Sequence, residues 1–255
     1  MGAPRILYRL YAKRLRRELR PDLLPRHVAV AMDGNRRWAR QQGFADAGVG
    51  HRYGAEHLDD LLGWCAQIGI DHVTVYVASV DNLTKRDGGE VAHLMDMIEA
   101  VIADRLMRPG NRWRLHIAGQ LDRLPDATAA ALKTAVEATA DRAGGHLTIA
   151  IGYDGQTEIV DAVRSLLEHE AAQGGTIGDL ADRLSPADIG LHRYTPDLPA
   201  ADLIIRTSGE RRLSSFLLWQ SAGAELYFCD VYWPGFRHVD FLRALRDYAR
   251  RRARS

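Results

Sequence analysis

The chain has 255 residues, 46% of them apolar and 26% charged, an ordinary globular composition that excludes disordered, collagen-like and fibrous architectures. Thirty-four basic against thirty-three acidic residues leave a net charge of +1, so no global field draws the protein toward nucleic acid. Cys65 and Cys229 stand far apart in no metal-binding or disulfide pattern, and there is neither an apolar run of membrane-spanning length nor a signal-peptide core; the expectation is a soluble, cytoplasmic protein.

Charge is unevenly spread. Residues 1 to 20 carry seven basic side chains (Arg5, Arg9, Lys13, Arg14, Arg16, Arg17, Arg20) against one acid, Glu18, while Ile6, Leu7, Leu10, Tyr11, Leu15 and Leu19 recur at helical spacing. Residues 1–24 therefore read as a basic amphipathic helix, either packed on its own domain or lying against an anionic membrane surface. After it, β-branched runs at His27 to Met32, His72 to Ser79, Arg114 to Ala118, His146 to Gly152, Leu203 to Arg206 and Glu225 to Phe228 predict six strands. Amphipathic helical patterns fill the gaps at Ala55 to Gln67, Val91 to Leu106, Ala127 to Ala140 and Glu158 to Ala172. Such alternation requires crossovers, hence an α/β fold: a mostly parallel six-stranded sheet with helices on both faces. Residues 25–255 read as one domain, with Gly174 to Pro199 as an inserted loop. The tail from Arg237 to Arg254 is again cationic, seven basic residues against two acidic.

In a parallel sheet ligands collect beyond the carboxyl ends of the strands. The first strand runs into Met32-Asp33-Gly34-Asn35-Arg36-Arg37-Trp38, where turn amides and two guanidinium groups suit a diphosphate and Asp33 offers a hard oxygen for Mg²⁺. The plain alternative is an Asx turn with solvated arginines. The second strand leads into Ala78-Ser79-Val80-Asp81-Asn82-Leu83. The fifth leads into Arg206-Thr207-Ser208-Gly209-Glu210-Arg211-Arg212-Leu213-Ser214, where Arg206, Arg212 and the Ser214 hydroxyl offer a second anion site. Two cationic loops and one acid at one sheet edge indicate two phosphorylated substrates. Common phosphate motifs are absent: Gly48-Val49-Gly50-His51-Arg52-Tyr53-Gly54 misses the GxGxxG spacing, and Asp59-Asp60-Leu61-Leu62-Gly63 is no DDxxD metal motif.

The run from His27 to Ala39 resembles the signature of cis-prenyltransferases, the Z-isoprenyl diphosphate synthases that include undecaprenyl diphosphate synthase. Ile204 to Glu210, Arg212 to Ser214, Phe216 to Gln220 and Ala224 to Leu226 resemble that family's second long motif in order and spacing, and the similarity extends from about Pro25 to Tyr248. The resemblance implies a homodimer that uses Mg²⁺ to condense isopentenyl diphosphate with an allylic diphosphate. Carried over, it implies Asp33 as the Mg²⁺-linked catalytic aspartate and Gly34, Asn35, Arg36 and Arg37 as ligands of the allylic diphosphate, with Trp38 walling that pocket. Arg206, Arg212, Leu213 and Ser214 match the isopentenyl diphosphate segment, and Glu225 matches a second metal-linked acid. His51 and Asn82 match positions near the reacting carbons, alongside Ser79, Val80 and Asp81. Lys85 and Arg86 share the place of a substrate arginine. The family's Arg-x-Gly tail has no counterpart in Arg250-Arg251-Arg252-Ala253-Arg254-Ser255.

Product length is read from the end of the second strand, where Val77, Ala78 and Leu83 stand near the start of the tunnel an elongating chain must enter. Val77 occupies a place where long-chain synthases resembling this one have alanine, and the termini resemble actinobacterial Z,E-farnesyl diphosphate synthases. A short product made from geranyl diphosphate is expected, with a decaprenyl or undecaprenyl length as the alternative. A non-catalytic partner subunit is a different class; retention of Asp33, Asn35, Arg37, Arg206, Arg212, Ser214 and Glu225 weighs against it, and a basic membrane or nucleic-acid adaptor rests on the terminal arginines alone.

Overall fold

The computed structural model describes residues 3–46, 48–85 and 88–254. Six strands, β1 (His27–Ala31), β2 (His72–Ser79), β3 (Trp113–Ala118), β4 (Gly145–Tyr153), β5 (Leu203–Arg206) and β6 (Glu225–Phe228), form one sheet in the order β3-β4-β2-β1-β5-β6. Every pairing is parallel. From β1 the chain passes to β2 on one side, sends β3 to that edge and returns to fill β4 between them, then crosses to β5 and β6 on the other side, which leaves a crevice beyond the carboxyl end of the central β1. The expected strands all form. They read as continuous apolar runs because both faces of the sheet are covered, so that all five residues of β1 are buried.

One face packs Val28, Val30, Val73 and Val75 against Leu58, Leu61, Leu62 and Cys65 of α3 (Gly48–Ile68), Leu94 and Met95 of α5 (Gly88–Val101), Leu132 of α6 (Asp126–Ala138) and Phe241 and Leu245 of α10 (His238–Arg252). On the opposite side Ala29, Ala31, Ala118 and Ala150 pack with Tyr153, Phe216 and Leu217. There α7 (Gly155–Ala172) begins at Asp154, whose carboxylate accepts the Gln156 and Thr157 amides as an N-cap.

The segment read as an inserted loop contains two helices. They are α8 (Ile177–Arg183), capped by Thr176, and α9 (Pro186–Gly190), closed by a Ser185–Asp188 capping box. The expected helix ending at Leu106 changes character on the way: α5 stops at Val101 and continues as a π-helical turn, Ile102–Leu106. Near the amino terminus, α1 (Ala3–Glu18) lies along α10 and buries Leu15 completely against Val239 and Leu242. Among the described residues no helix is long and apolar enough to cross a membrane.

Candidate active site

The turn after β1 is held by main-chain chemistry. The Asp33 amide donates to Thr207 Oγ1 (2.9 Å), the Thr207 hydroxyl donates to the Asp33 carbonyl (2.7 Å), and Trp233 N–H donates to the same carbonyl (3.0 Å). Gly34 then adopts φ +100°, and a Cβ there would lie 2.6 Å from Tyr232 Cδ1; no other residue type fits. From this turn α2 (Asn35–Gln41) starts. It settles against α3 because Gly54 has no side chain: a Cβ would fall 2.6 Å from Asn35 Oδ1.

Asp33 projects between two guanidinium groups. Arg206 Nη2 reaches its Oδ2 at 3.0 Å and Arg37 Nη2 its Oδ1 at 3.4 Å. Burial pushes the Asp33 carboxyl up, but hydrogen bonding and charge from Arg206, then Arg37 and Ser208, outweigh it and hold the group below its ordinary value. Arg206 is itself buried, and its Nη1 donates to the Arg212 carbonyl (2.5 Å) and to Ser214 Oγ (2.8 Å). Arg37 also donates to Ser208 Oγ (2.7 Å) and lies over the Tyr232 ring.

The loop after β5 is strained where it is needed. Ser208, Ser214, Ser215 and Leu217 have φ between +49° and +83°, and among the described residues these are the non-glycine residues in the left-handed region. Each such conformation costs about 1–3 kcal/mol and persists only where surroundings impose it. Here α7 imposes it. Gly155 N–H donates to the Ser215 carbonyl (2.8 Å), and the buried Glu158 carboxyl receives Gln220 Nε2 (3.0 Å to each oxygen), the Tyr153 hydroxyl (2.5 Å) and Tyr194 N–H (3.3 Å). All of these partners donate, which is what a carboxylate accepts. Gln220 sits a few residues beyond Ser214, so the clamp fixes the anion-binding stretch from behind.

At the end of β2 the pairing with β4 slips at Tyr76/Ala78 and again at Ala78/Ser79, a bulge that re-aims Val77. Ser79 Oγ accepts both the Asn82 amide N–H (3.0 Å) and Asn82 Nδ2 (2.7 Å), which starts α4 (Val80–Lys85). Tyr76 stacks on Phe216 at 4.7 Å, and burial pushes its hydroxyl up to about 12. Glu90 of α5 lies between Arg36 (3.5 Å) and His51 (3.7 Å).

These loops enclose a polar cavity of about 690 Å³. Asp33, Gly34, Asn35, Arg36 and Arg37 line it from the β1 turn, His51 from α3, Val77, Ala78, Ser79, Asp81 and Asn82 from the end of β2, and Arg206, Arg212 and Ser214 from the β5 loop. A second, apolar cavity of about 70 Å³ shares Asn35, His51, Tyr76 and Val77 with it and continues between Leu58, Leu94, Ile98 and Ile102.

Some expected residues lie elsewhere. Trp38 does not line the cavity; it packs beside Tyr53 (ring centroids 5.0 Å) and Phe44 (6.1 Å). Val80 stands in the first turn of α4 outside the lining, while Leu83 and Leu213 pack into the two cores. Lys85 ends α4, and Arg86 lies outside the described residues. Glu225 is not brought to Asp33 within the chain. It opens β6 opposite Leu203, three positions before the Arg206–Phe228 pair and so roughly 10 Å down the strand, where Arg251 Nη1 holds it at 3.0 Å. Conversely, Met32, Arg40, Tyr76, Asp154 and Ser215 line the cavity unforeseen. Asp154 was open to the strand-end rule, since it directly follows β4.

Among the described residues no group of three His, Cys, Asp or Glu side chains can hold a metal by itself. The hard carboxylate of Asp33, set among anion-binding arginines, matches instead the Mg²⁺ habit of taking one or two carboxylates and completing its shell with substrate phosphates.

Residues 31–255 match the prenyltransferase family described as "Putative undecaprenyl diphosphate synthase". An isoprenyl transferase of Streptomyces fradiae is 56% identical over 251 residues, covering 98% of this chain and 97% of the relative. A (2Z,6E)-farnesyl diphosphate synthase of Mycobacterium tuberculosis is 48% identical over 247 residues, 96% and 94% of the two chains. The crystal structure of lavandulyl diphosphate synthase from Lavandula x intermedia with dimethylallyl diphosphate superimposes with a TM-score of 0.82 at 29% identity, over 89% of this chain and 96% of that one.

Proposed function

The chain belongs to the undecaprenyl diphosphate synthase family and is a cis-type isoprenyl diphosphate synthase, and from that premise we propose that it joins isopentenyl diphosphate to a short allylic diphosphate, geranyl diphosphate, and stops at Z,E-farnesyl length. The observation that carries this reading is the Asp33–Arg206 pair at the floor of a polar cavity that narrows into an apolar pocket of about 70 Å³.

In this reading Arg36, Arg37 and the turn amides at Gly34 and Asn35 take the allylic diphosphate, while Arg212 and Ser214, braced by Arg206, take isopentenyl diphosphate. The family implies a divalent metal. Asp33 would hold it, and when bound it would draw negative charge from the departing diphosphate. With the two diphosphates held in adjoining loops, the isopentenyl double bond lies against the allylic carbon. The allylic C–O bond breaks, diphosphate departs toward the arginines, the new C–C bond forms, and a proton leaves the isopentenyl unit. Asn82 is too weak a base to take it; held by Ser79, its amide orients a water or a phosphate oxygen that does. The hydrocarbon tail enters past Val77.

The M. tuberculosis relative named for a Z,E-farnesyl product supports the short length. The homodimer belongs to the same reading, and α7 leaves Val160, Val163 and Leu167 exposed at helical spacing as a surface for a second copy. Incubation with Mg²⁺, labelled isopentenyl diphosphate and allylic primers of graded length tests it. Geranyl diphosphate should be the preferred primer, and a preference for farnesyl diphosphate with continued elongation would replace the short-chain reading by the medium- or long-chain one.

A further inference from the structure

We propose that the outward face of α1 is a docking surface for an anionic lipid bilayer. The helix is apolar on two sides. Its inner side, Tyr8, Tyr11, Leu15 and Leu19, packs with Val239 and Leu242 of α10. Polar contacts fix it there: Val239 N–H donates to the Tyr8 hydroxyl (3.4 Å), Arg243 to the Tyr11 hydroxyl (3.3 Å), and Arg16 to the Gln67 carbonyl (3.2 Å).

Among the described residues the outer side has no such partner element. Ile6, Leu7 and Leu10 remain 52, 66 and 59% exposed. Ile6 and Leu10 are one turn apart, and Lys13 and Arg17 continue the same row, while Leu7 and Arg14 form the row beside it. Arg9, Lys13, Arg14 and Arg17 are all exposed around the aliphatic side chains. The acid of this segment, Glu18, is already engaged by Arg14 (3.1 Å) and Arg246 (3.5 Å).

Charge complementarity selects the occupant. The exposed aliphatic stripe of α7, Val160, Val163 and Leu167, is flanked by both signs, Asp161, Arg164 and Glu168, as suits a protein surface. The stripe of α1 is fringed by cations alone, the pattern of a helix that sets its apolar residues among acyl chains while its basic residues meet anionic headgroups. Because α10 holds the inner side, the face is presented ready-made and no folding is needed on contact.

Flotation of the full chain with phosphatidylcholine vesicles, and with vesicles that also contain phosphatidylglycerol, tests the inference. The protein should float with the mixed vesicles and stay behind with the neutral ones, and added salt should release it. Ile6→Ser/Leu7→Ser/Leu10→Ser and, separately, Lys13→Glu/Arg17→Glu should each weaken binding by about tenfold or more, with prenyl transfer in solution unchanged. Equal binding to both vesicle types, or wild-type binding by both variants, would overturn it. So would a serine variant that loses a partner subunit in sedimentation while floating as before, since the face would then serve a second copy of the chain.

Discussion

Asp33 and Arg206 close the seam between β1 and β5: the carboxylate Oδ2 lies 3.0 Å from guanidinium Nη2, and the arginine that makes this bond also reaches the Arg212 carbonyl and Ser214 Oγ. One buried guanidinium thus links the acid of the first loop to the anion-binding stretch of the fifth.

Asp33→Asn keeps the shape of the side chain and leaves Arg206 its two bonds on the β5 loop, so the fold should persist, with a lowered melting temperature because the buried Arg206 guanidinium loses its countercharge. Turnover should fall by about a hundredfold or more, since the variant lacks the charged oxygen that serves the metal and the departing diphosphate. Steady-state kinetics beside a thermal melt checks this. Retention of a tenth of the activity would remove Asp33 from its assigned role.

Ser214→Ala and Arg212→Ala should raise KM for isopentenyl diphosphate by roughly tenfold or more, the loss of a charge-assisted contact, and leave KM for the allylic primer nearly unchanged. Glu158→Gln should show the same asymmetry in weaker form, because it loosens the clamp on Gln220 and the Ser215 segment without touching the cavity. Equal changes for the two substrates would mean that the diphosphates are assigned to the wrong loops.

Four histidines run across the amino-terminal half of the sheet. His27, His72 and His146 are in register, the last two rings stack at 4.7 Å, and His116 Nε2 lies 2.9 Å from His146 Nδ1. Burial, and then neighbouring histidines with Arg26 or Arg114, push His72 and His116 down to about 4, against partial opposition from Asp71 and Asp197. In the unfolded chain these rings protonate near their ordinary 6.5, so the unfolded state gains protons first as pH falls. Stability should be complete above that value and decline steadily toward pH 4. A melt series over this window should show the decline, and His116→Asn should flatten it; a wild-type melting temperature constant across the window would contradict the assignment.

Val77→Ala should lengthen the product, because the β2 bulge sets this side chain where the polar cavity meets the apolar pocket. An unchanged product would pass the stop to the wall formed by α5 and the π-turn after it, where Leu94, Ile98 and Ile102 face the same pocket.

Much of this architecture was legible from pattern alone. Parallel strands buried on both faces are short β-branched runs, so β1 to β6 stood out, and the rule that ligands gather beyond strand ends led to Asp33, Arg37, Arg206 and Ser214. Glu225 came from motif similarity instead, which carries no information about which edge of the sheet a residue occupies, and it begins its strand. Trp38 and Arg37 adjoin in sequence, yet successive helical residues turn about 100° apart, so one faces the cavity and the other faces Tyr53. The π-turn at Ile102–Leu106 left no trace, since an apolar run keeps much the same spacing through it. The bulge at Val77 is equally silent, because it arises from the slip against β4.

The most direct test of the account is the product that the wild-type protein makes from geranyl diphosphate and isopentenyl diphosphate with Mg²⁺, resolved by chromatography against standards of defined length and double-bond geometry. Z,E-farnesyl diphosphate is the expected terminal product; an all-trans product, or a chain of decaprenyl length or beyond, would contradict the short-chain cis reading.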